Sequence, residues 1–302
     1  MAKRILITGG TGFIGKELCP RLLERGDQLS VLSRQPTENV KAICGRVEAV
    51  SSLSPMRSHQ GFDAVINLAG EGIADKRWSA SRKQALRDSR IRLTEELVEV
   101  IRTWEKPPSV MVSGSAVGFY GDQGAAPVTE DTAPHDEFTH RLCKDWENAA
   151  KTLAGAHTRI CLSRTGVVAG PGGGFLQRML LPFRLGLGGR LGSGEQYMPW
   201  VHRTDVVNAL IWMLDTEAAR GAYNVVSPNP VTNAEFTRTL GKVLNRPTPF
   251  PAPAPVLKVA LGEMSRLLLT GQNARPARLI DEGFEFRFED LESALRSSVG
   301  RK

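Results

Sequence analysis

Three glycines spaced three apart, Gly9, Gly12 and Gly15, are the residues of this sequence best suited to chemistry. They lie in Thr8-Gly9-Gly10-Thr11-Gly12-Phe13-Ile14-Gly15, after the apolar, β-branched run Lys3 to Thr8 and ahead of a helical pattern reaching Arg25. Glycines at this spacing allow a tight turn, close approach of backbone to a pyrophosphate, and close packing of helix on strand. The helix that opens there offers unpaired N–H groups and partial positive charge to phosphates. Strand, turn and helix in this order point to a dinucleotide held by Gly9, Thr11, Gly12, Phe13, Ile14 and Gly15.

The end of the second strand then selects the dinucleotide. A carboxylate there would bind a ribose 2′-hydroxyl, whereas an arginine accepts a 2′-phosphate. The run Gln28 to Ser33 ends Leu32-Ser33-Arg34, and Asp27 stands at its other end. Ser33 can donate a hydrogen bond and Arg34 can pair with or stack beside a phosphate, so NADP(H) is the expected cofactor. A third contact is expected at Asn67-Leu68-Ala69-Gly70-Glu71, which ends the apolar run Asp63 to Ala69. The small residues Ala69 and Gly70, following Leu68, let backbone lie against the cofactor beside Glu71. Asn67 and Glu71 could equally cap that turn.

The elements that must carry these residues alternate. Strand-like runs at Lys3 to Thr8, Gln28 to Ser33, Asp63 to Ala69, Ser109 to Ser113 and Arg159 to Ser163 are separated by helical stretches. Those stretches include a long polar helix, Ala80 to Trp104, and another from Glu137 to Leu153. This predicts an α/β fold: a Rossmann-type doubly wound parallel sheet with helices on both faces. The expected NADP-binding domain covers residues 1–170, with 204–230 returning to it. Glycine-rich stretches after Gly170 predict a smaller C-terminal substrate lobe from 171–203 and 231–250. Pro247 to Pro255 resembles a stiff linker, and 251–302 reads as a small helical C-terminal module.

Composition narrows the function classes. With 41% hydrophobic residues, 302 residues can bury a sizeable core. No apolar run is long enough to span a membrane, and the N-terminal apolar stretch is too short for a signal peptide. The four cysteines form no CxxC pair or metal spacing, which fits a reducing cytoplasm. The net charge of +7 permits attraction to anions, yet no dense basic run or basic–aromatic interleaving occurs. The basic residues from Lys76 to Arg92 read as a solvated helix face. A cytoplasmic protein with a small-molecule substrate is expected, with no nucleic-acid or membrane partner. A homodimer would suit the helices of such a fold.

Together these residues resemble the extended short-chain dehydrogenase/reductase superfamily, which contains nucleotide-sugar epimerases. Val112-Ser113-Gly114-Ser115-Ala116 with Phe119-Tyr120-Gly121 looks like its Ser-Ser-x-x-Val-Tyr-Gly segment, about a residue longer. Arg164 to Pro171 is similar to its Arg-x-x-x-Val-x-Gly-Pro segment, which implies that Val168 touches the cofactor. The strings NLAGEGIADKRW, LLPFRLGLGG and SGEQYMPWVH resemble one subgroup, labelled NAD-dependent epimerase/dehydratase or, doubtfully, cell-division inhibitor (SulA). Its members end in a domain of unknown function, which Pro251 to Val299 resembles. The resemblance covers essentially the whole chain.

The superfamily's working pair is Tyr-x-x-x-Lys on a helix, where the lysine lowers the tyrosine pKa and holds the nicotinamide ribose. Here Tyr120, Tyr197 and Tyr223 are followed four residues on by Gly124, Val201 and Ser227. Anchoring on the acid that follows the lysine, Glu147, puts Cys143 at the lysine position and Thr139 at the tyrosine position. Three readings stay open. An oxidoreductase or epimerase-like enzyme could use relocated groups, with Ser115 holding a carbonyl or hydroxyl while Tyr120, His140 or Glu71 handles the proton. The chain could bind NADP(H) without turnover, as a redox-sensing or scaffold protein. Cys143 could be a reactive thiol, against the commoner case of a buried inert one.

Arg90 stands where the superfamily often carries the asparagine of Asn-Val-x-Gly-Thr. An arginine facing the cofactor could contact its phosphates, or a substrate that is anionic. In the lobe, Gln196, Met198, Trp200 and His202 are candidates for a substrate wall, with the core as the alternative for Met198 and Trp200. Asp205 is expected to cap the helix that starts near it.

Overall fold

The computed structural model describes residues 2–58, 61–155 and 157–300; Met1 and the last two residues of the expected C-terminal module, Arg301 and Lys302, lie outside them. The middle strands are short apolar runs buried on both faces, as in Ile5-Leu6-Ile7 and Val65-Ile66. Such strands need helices above and below. Five strands come first: β1 (Arg4–Thr8), β2 (Gln28–Leu32), β3 (Glu48–Val50), β4 (Ala64–Asn67) and β5 (Val110–Ala116). After the short β6 (Pro127–Val128) come β7 (Arg159–Thr165), β8 (Val167–Ala169), β9 (Tyr197–Met198), β10 (Trp200–His202) and β11 (Gly221–Val225). The main sheet has the order β3-β2-β1-β4-β5-β7-β11, and every neighbouring pair is parallel. The order reverses between β1 and β4, so the crevice beyond their C-terminal ends is where such a sheet binds ligands.

Alternation along β1 sorts the helices. Ile5 and Ile7 pack with α1 (Gly15–Glu24), α2 (Thr37–Cys44) and, from much later in the chain, the helix Arg203–Asp215. Leu6 packs on the other face, against residues of a helix starting at Leu93. The helix expected from Ala80 to Trp104 is divided: α3 (Ala80–Arg87), one π-turn at Asp88–Arg92, and α4 (Leu93–Ile101). A π-turn widens the helix by a residue and commonly marks a functional site. Next come α5 (Phe138–Lys151), α6 (Gly174–Arg184), α7 (Arg203–Asp215) and α8 (Asn233–Leu244), followed by α9 (Ala254–Leu261), α10 (Arg266–Leu269), α11 (Ala277–Asp281) and α12 (Leu291–Val299).

The smaller lobe has its own core. Leu176, Leu180 and Phe183 of α6 meet Met198, Trp200, Phe236, Leu240 and Leu295. Leu295 belongs to α12, so the C-terminal stretch completes this core. The same stretch also grips the main domain. Asn273–Ala274 pairs in parallel with β6, and the Asp205 carboxylate accepts the N–H groups of Arg287 and Phe288 at 2.8 and 2.9 Å. The proline-rich stretch expected as a linker lies along the 188–192 loop. There the Ala252 N–H donates to the Arg190 carbonyl and the Gly192 N–H to the Ala252 carbonyl, each at 2.9 Å.

Candidate cofactor and catalytic site

The glycine turn is fixed by what it touches. Gly9 has φ +73°, and a Cβ on it would lie 2.6 Å from the Leu68 carbonyl; one on Gly15 would lie 2.2 Å from the Gly10 oxygen. The turn closes through the Gly12 N–H donating to the Gly9 carbonyl at 3.0 Å, and Gly12 itself faces solvent. No side chain caps α1, and among the described residues the N–H groups of Phe13 and Ile14 have no backbone acceptor. An uncapped helix N-terminus with free donors fits a phosphate. Phe13 contributes this backbone, while its ring lies under the Arg203 guanidinium at 4.7 Å and against Gly170, Gly173 and Gly174. At the end of β2, Arg34 is exposed and the Ser33 hydroxyl accepts the Gln35 N–H at 3.1 Å. The Gln35 amide reaches Thr11 at 3.4 Å, so this strand end adjoins the glycine turn.

Beneath the crevice the strand ends are tied by side chains. Thr8 donates to Asn67 at 2.6 Å and accepts the Ala69 N–H at 3.1 Å, while Asn67 donates to Thr94 at 2.8 Å. Asn67 therefore belongs to the floor. Leu68 and Ala69 are half-buried and Gly70 is exposed at the rim. Glu71 pairs with Arg82, which also donates to the Gly72 carbonyl at 2.6 Å. Arg90 sits at the π-turn with its guanidinium under Gly70, donating to the Glu71 carbonyl at 2.8 Å and lying 5.4 Å from the Trp146 ring. It braces the 70–72 loop from below. Val168 is half-buried and pairs with Val201.

The corner at the end of β5 against α5, where Ser115, Tyr120 and His140 were expected to act, is tied by buried side chains. Ser115 donates to the Glu147 carboxylate at 2.8 Å. Glu147 is fully buried and holds Arg164 by two bonds, at 2.8 and 3.1 Å. Arg164 in turn donates to the Tyr120 hydroxyl at 2.9 Å, and that hydroxyl donates to Asn224 at 2.7 Å. Tyr120 is wholly buried, and burial pushes its pKa up to about 12. The hydroxyl of Tyr120, one of the groups expected to handle a proton, is thus enclosed between Arg164 and Asn224. His140, expected as an acid–base candidate, is buried, with Nδ1 2.6 Å from the Phe119 carbonyl oxygen and its ring edge-on to Phe119. Thr139 lies against Gly118. Cys143 is buried, and burial, aided by Glu147, pushes its thiol up to about 12. Such a thiol is not a nucleophile near neutral pH.

The lobe candidates are mostly core. Trp200, Met198 and His202 are buried, and Gln196 donates to the Leu191 and Leu268 carbonyls at 2.9 and 2.7 Å. His202, not Asp205, caps α7: its Nδ1 accepts the Thr204 N–H at 3.2 Å. Sequence reading missed that cap because histidine rarely serves as one. A cavity of about 70 Å³ does open on the corner, between Gly118, Phe138 and Thr139 and the C-terminal residues Glu263, Arg266 and Gln272. Larger hollows, of about 530 and 520 Å³, lie at the N-terminal ends of the strands, away from the crevice.

Comparison with known proteins decides the lineage of this arrangement. Residues 5–226 match the NAD dependent epimerase/dehydratase family. The chain belongs to that family. Residues 252–298 match a second family, a domain of unknown function. Epimerase family protein SDR39U1 of Homo sapiens is 38% identical, over 98% of this chain and 99% of its own length. Epimerase family protein YfhF of Bacillus subtilis is 36% identical, over 98% and 97%. A crystal structure of human SDR39U1 with NADPH has a TM-score of 0.91 at 35% identity, covering 99% of this chain and 100% of that one. UDP-glucuronic acid 4-epimerase from Bacillus cereus, with UDP-glucuronic acid and NAD, has a TM-score of 0.78 at 16% identity over 98% of both chains, a likeness of fold alone. Among the described residues no helix is long and apolar enough to cross a membrane, and no three His, Cys, Asp or Glu side chains gather as metal ligands.

Proposed function

We propose that this family member is an NADP(H)-dependent oxidoreductase or epimerase-like enzyme acting on a small carbonyl or hydroxyl compound. The observation that carries the reading is the uncapped N-terminus of α1, with free Phe13 and Ile14 N–H groups, beside the exposed Arg34. The NADPH in the human relative supports the same choice of dinucleotide. Phe13 and Ile14 would hold the pyrophosphate, and Ser33 and Arg34 the 2′-phosphate. When bound, the nicotinamide supplies or takes up a hydride.

In the remaining chemistry this chain departs from its superfamily. With its proton committed to Glu147, the Ser115 hydroxyl keeps lone pairs that can accept from a substrate hydroxyl. The Glu147–Arg164 pair fixes the orientation of Ser115 and offers an anion toward which a proton can shift. A specific observation favours a second reading, non-catalytic NADP(H) binding. Thr139 and the protonated Cys143 occupy the tyrosine and lysine positions, and neither can do that pair's work.

Titration with NADPH and NADH, followed by nicotinamide fluorescence, tests the binding half. Arg34→Ala should weaken NADPH by roughly 10- to 100-fold, the loss of a charge-assisted contact, and leave NADH unchanged. Equal affinity for both in the parent chain would sink the NADP(H) assignment. Stopped-flow oxidation of bound NADPH against a panel of carbonyl compounds separates the two readings, and no turnover with any of them selects the binder.

A further inference from the structure

The charge of +7 is not spread evenly. No Asp or Glu occurs from Asn148 to Gly194 or from Phe236 to Gly262, while these stretches carry Arg178, Arg184, Arg190, Arg238, Lys242, Arg246 and Lys258 on or beside α6, α8 and α9. Arg178 pairs with Asp75 and Lys242 with Glu292. The other five have no acidic partner among the described residues.

Large apolar side chains share these segments. Leu181, Leu185 and Leu187 at the end of α6, Phe250 before α9, and Val256 and Val259 on α9 are 57 to 78% exposed. Leu181 and Leu185 fall one helical turn apart, as do Val256 and Val259. The segments are joined. Arg246 donates to the Arg184 carbonyl at 2.9 Å, the Phe250 N–H meets the Gly188 carbonyl at 3.4 Å, and Leu191 bridges to Ala252. Helix α9, Ala-Pro-Val-Leu-Lys-Val-Ala-Leu, buries none of its residues. So apolar an element left uncovered is a face made to meet something.

Beside Phe250 lies a hollow of about 390 Å³ lined by Arg190, Thr237, Arg238, Thr248, Pro249 and Pro251. Neither arginine has a side-chain partner there among the described residues. Thr237, in the wall, is buried with its hydroxyl unpartnered. Two cations and an unmet hydroxyl describe a phosphate site. Five cations without an acidic partner among the described residues would repel a second copy of this face, whereas cations beside exposed leucine, valine and phenylalanine suit an anionic bilayer surface.

We propose that this face binds anionic phospholipid membranes, with a headgroup phosphate between Arg190 and Arg238 and the apolar side chains entering the acyl boundary. The expected lack of a membrane partner rested on spanning segments, which surface binding does not need. The proposal is independent of the NADP(H) reading.

The test is co-sedimentation of the full chain with phosphatidylcholine vesicles, with and without phosphatidylglycerol. Binding should require phosphatidylglycerol and weaken in high salt. Arg190→Gln with Arg238→Gln should weaken it roughly 30-fold, the loss of two basic side chains near an anionic surface. Leu185→Ser with Phe250→Ser should weaken it too, while NADPH affinity stays at the parent value and shows each variant folded. No binding to phosphatidylglycerol vesicles would overturn the proposal, as would binding indifferent to the arginine pair. Protection of the chain by inorganic phosphate without vesicle binding would reassign the hollow to a soluble phosphate. A dimer abolished by Phe250→Ser, again without vesicle binding, would reassign the face to a second copy.

Discussion

The glycine turn and the corner at the end of β5 sit at the same edge of the sheet, and they have kept different things. The turn works through backbone: free N–H groups, one positive-φ glycine, and contacts too tight for a Cβ. The corner works through side chains, a buried serine–glutamate–arginine–tyrosine chain in a sequence without the superfamily's Tyr-x-x-x-Lys. Backbone geometry admits few substitutes, so a binding function built on it persists. Side-chain chemistry can be exchanged as long as every buried polar group finds a partner. The corner meets that condition, with the Tyr120 hydroxyl enclosed between Arg164 and Asn224.

Two substitutions would break the comparison if it is wrong. Gly9→Ala meets both the positive φ and the Leu68 carbonyl. The dihedral costs about 1–3 kcal/mol and the overpacking a similar amount, so roughly 4 kcal/mol should go, along with NADPH binding. Urea unfolding and fluorescence titration measure the two losses, and a stable variant that still binds NADPH would refute the backbone account. Glu147→Gln should cost about 3 kcal/mol, because Arg164 is left buried without its counter-charge. Its NADPH affinity should hold at temperatures where it stays folded. A parallel fall in affinity would mean that the two regions are coupled rather than separate.

How much of this was legible follows from the same contrast. The sheet, its crevice and the glycine turn could be read because β-branched runs and glycine spacing are local signals. The absence of Tyr-x-x-x-Lys was equally plain. What replaced it was not, since Ser115, Glu147, Arg164 and Asn224 come from four places in the chain and only the fold joins them. Glu147 served as an anchor for counting residues without revealing itself as the corner's buried anion. Arg90 was noticed, but its direction depends on a π-turn that helical periodicity does not announce. The C-terminal stretch looked separate because proline-rich segments usually link; here one lies along a loop.

The smallest predicted effect sharpens the comparison from the cofactor side, where α7 packs on α1. Because the Nδ1 of His202 accepts the Thr204 N–H, its Nε2 carries the hydrogen, and that donor is buried without a partner. Burial is the main cause lowering its pKa to about 4, with Arg203 and Arg287 adding to it and Glu17 opposing it. The unfolded chain, with an ordinary histidine, takes up the proton first as pH falls. Stability from the neutral ring is therefore fully present above about pH 6.5 and is lost between there and pH 4, below which both states are protonated. The full loss is at most roughly 3 kcal/mol. Urea titrations across this range, differenced against His202→Gln, isolate the contribution from carboxylates titrating nearby. A flat difference curve would show that the ring is charged or solvated in the fold, and the α7 cap would then need a different account.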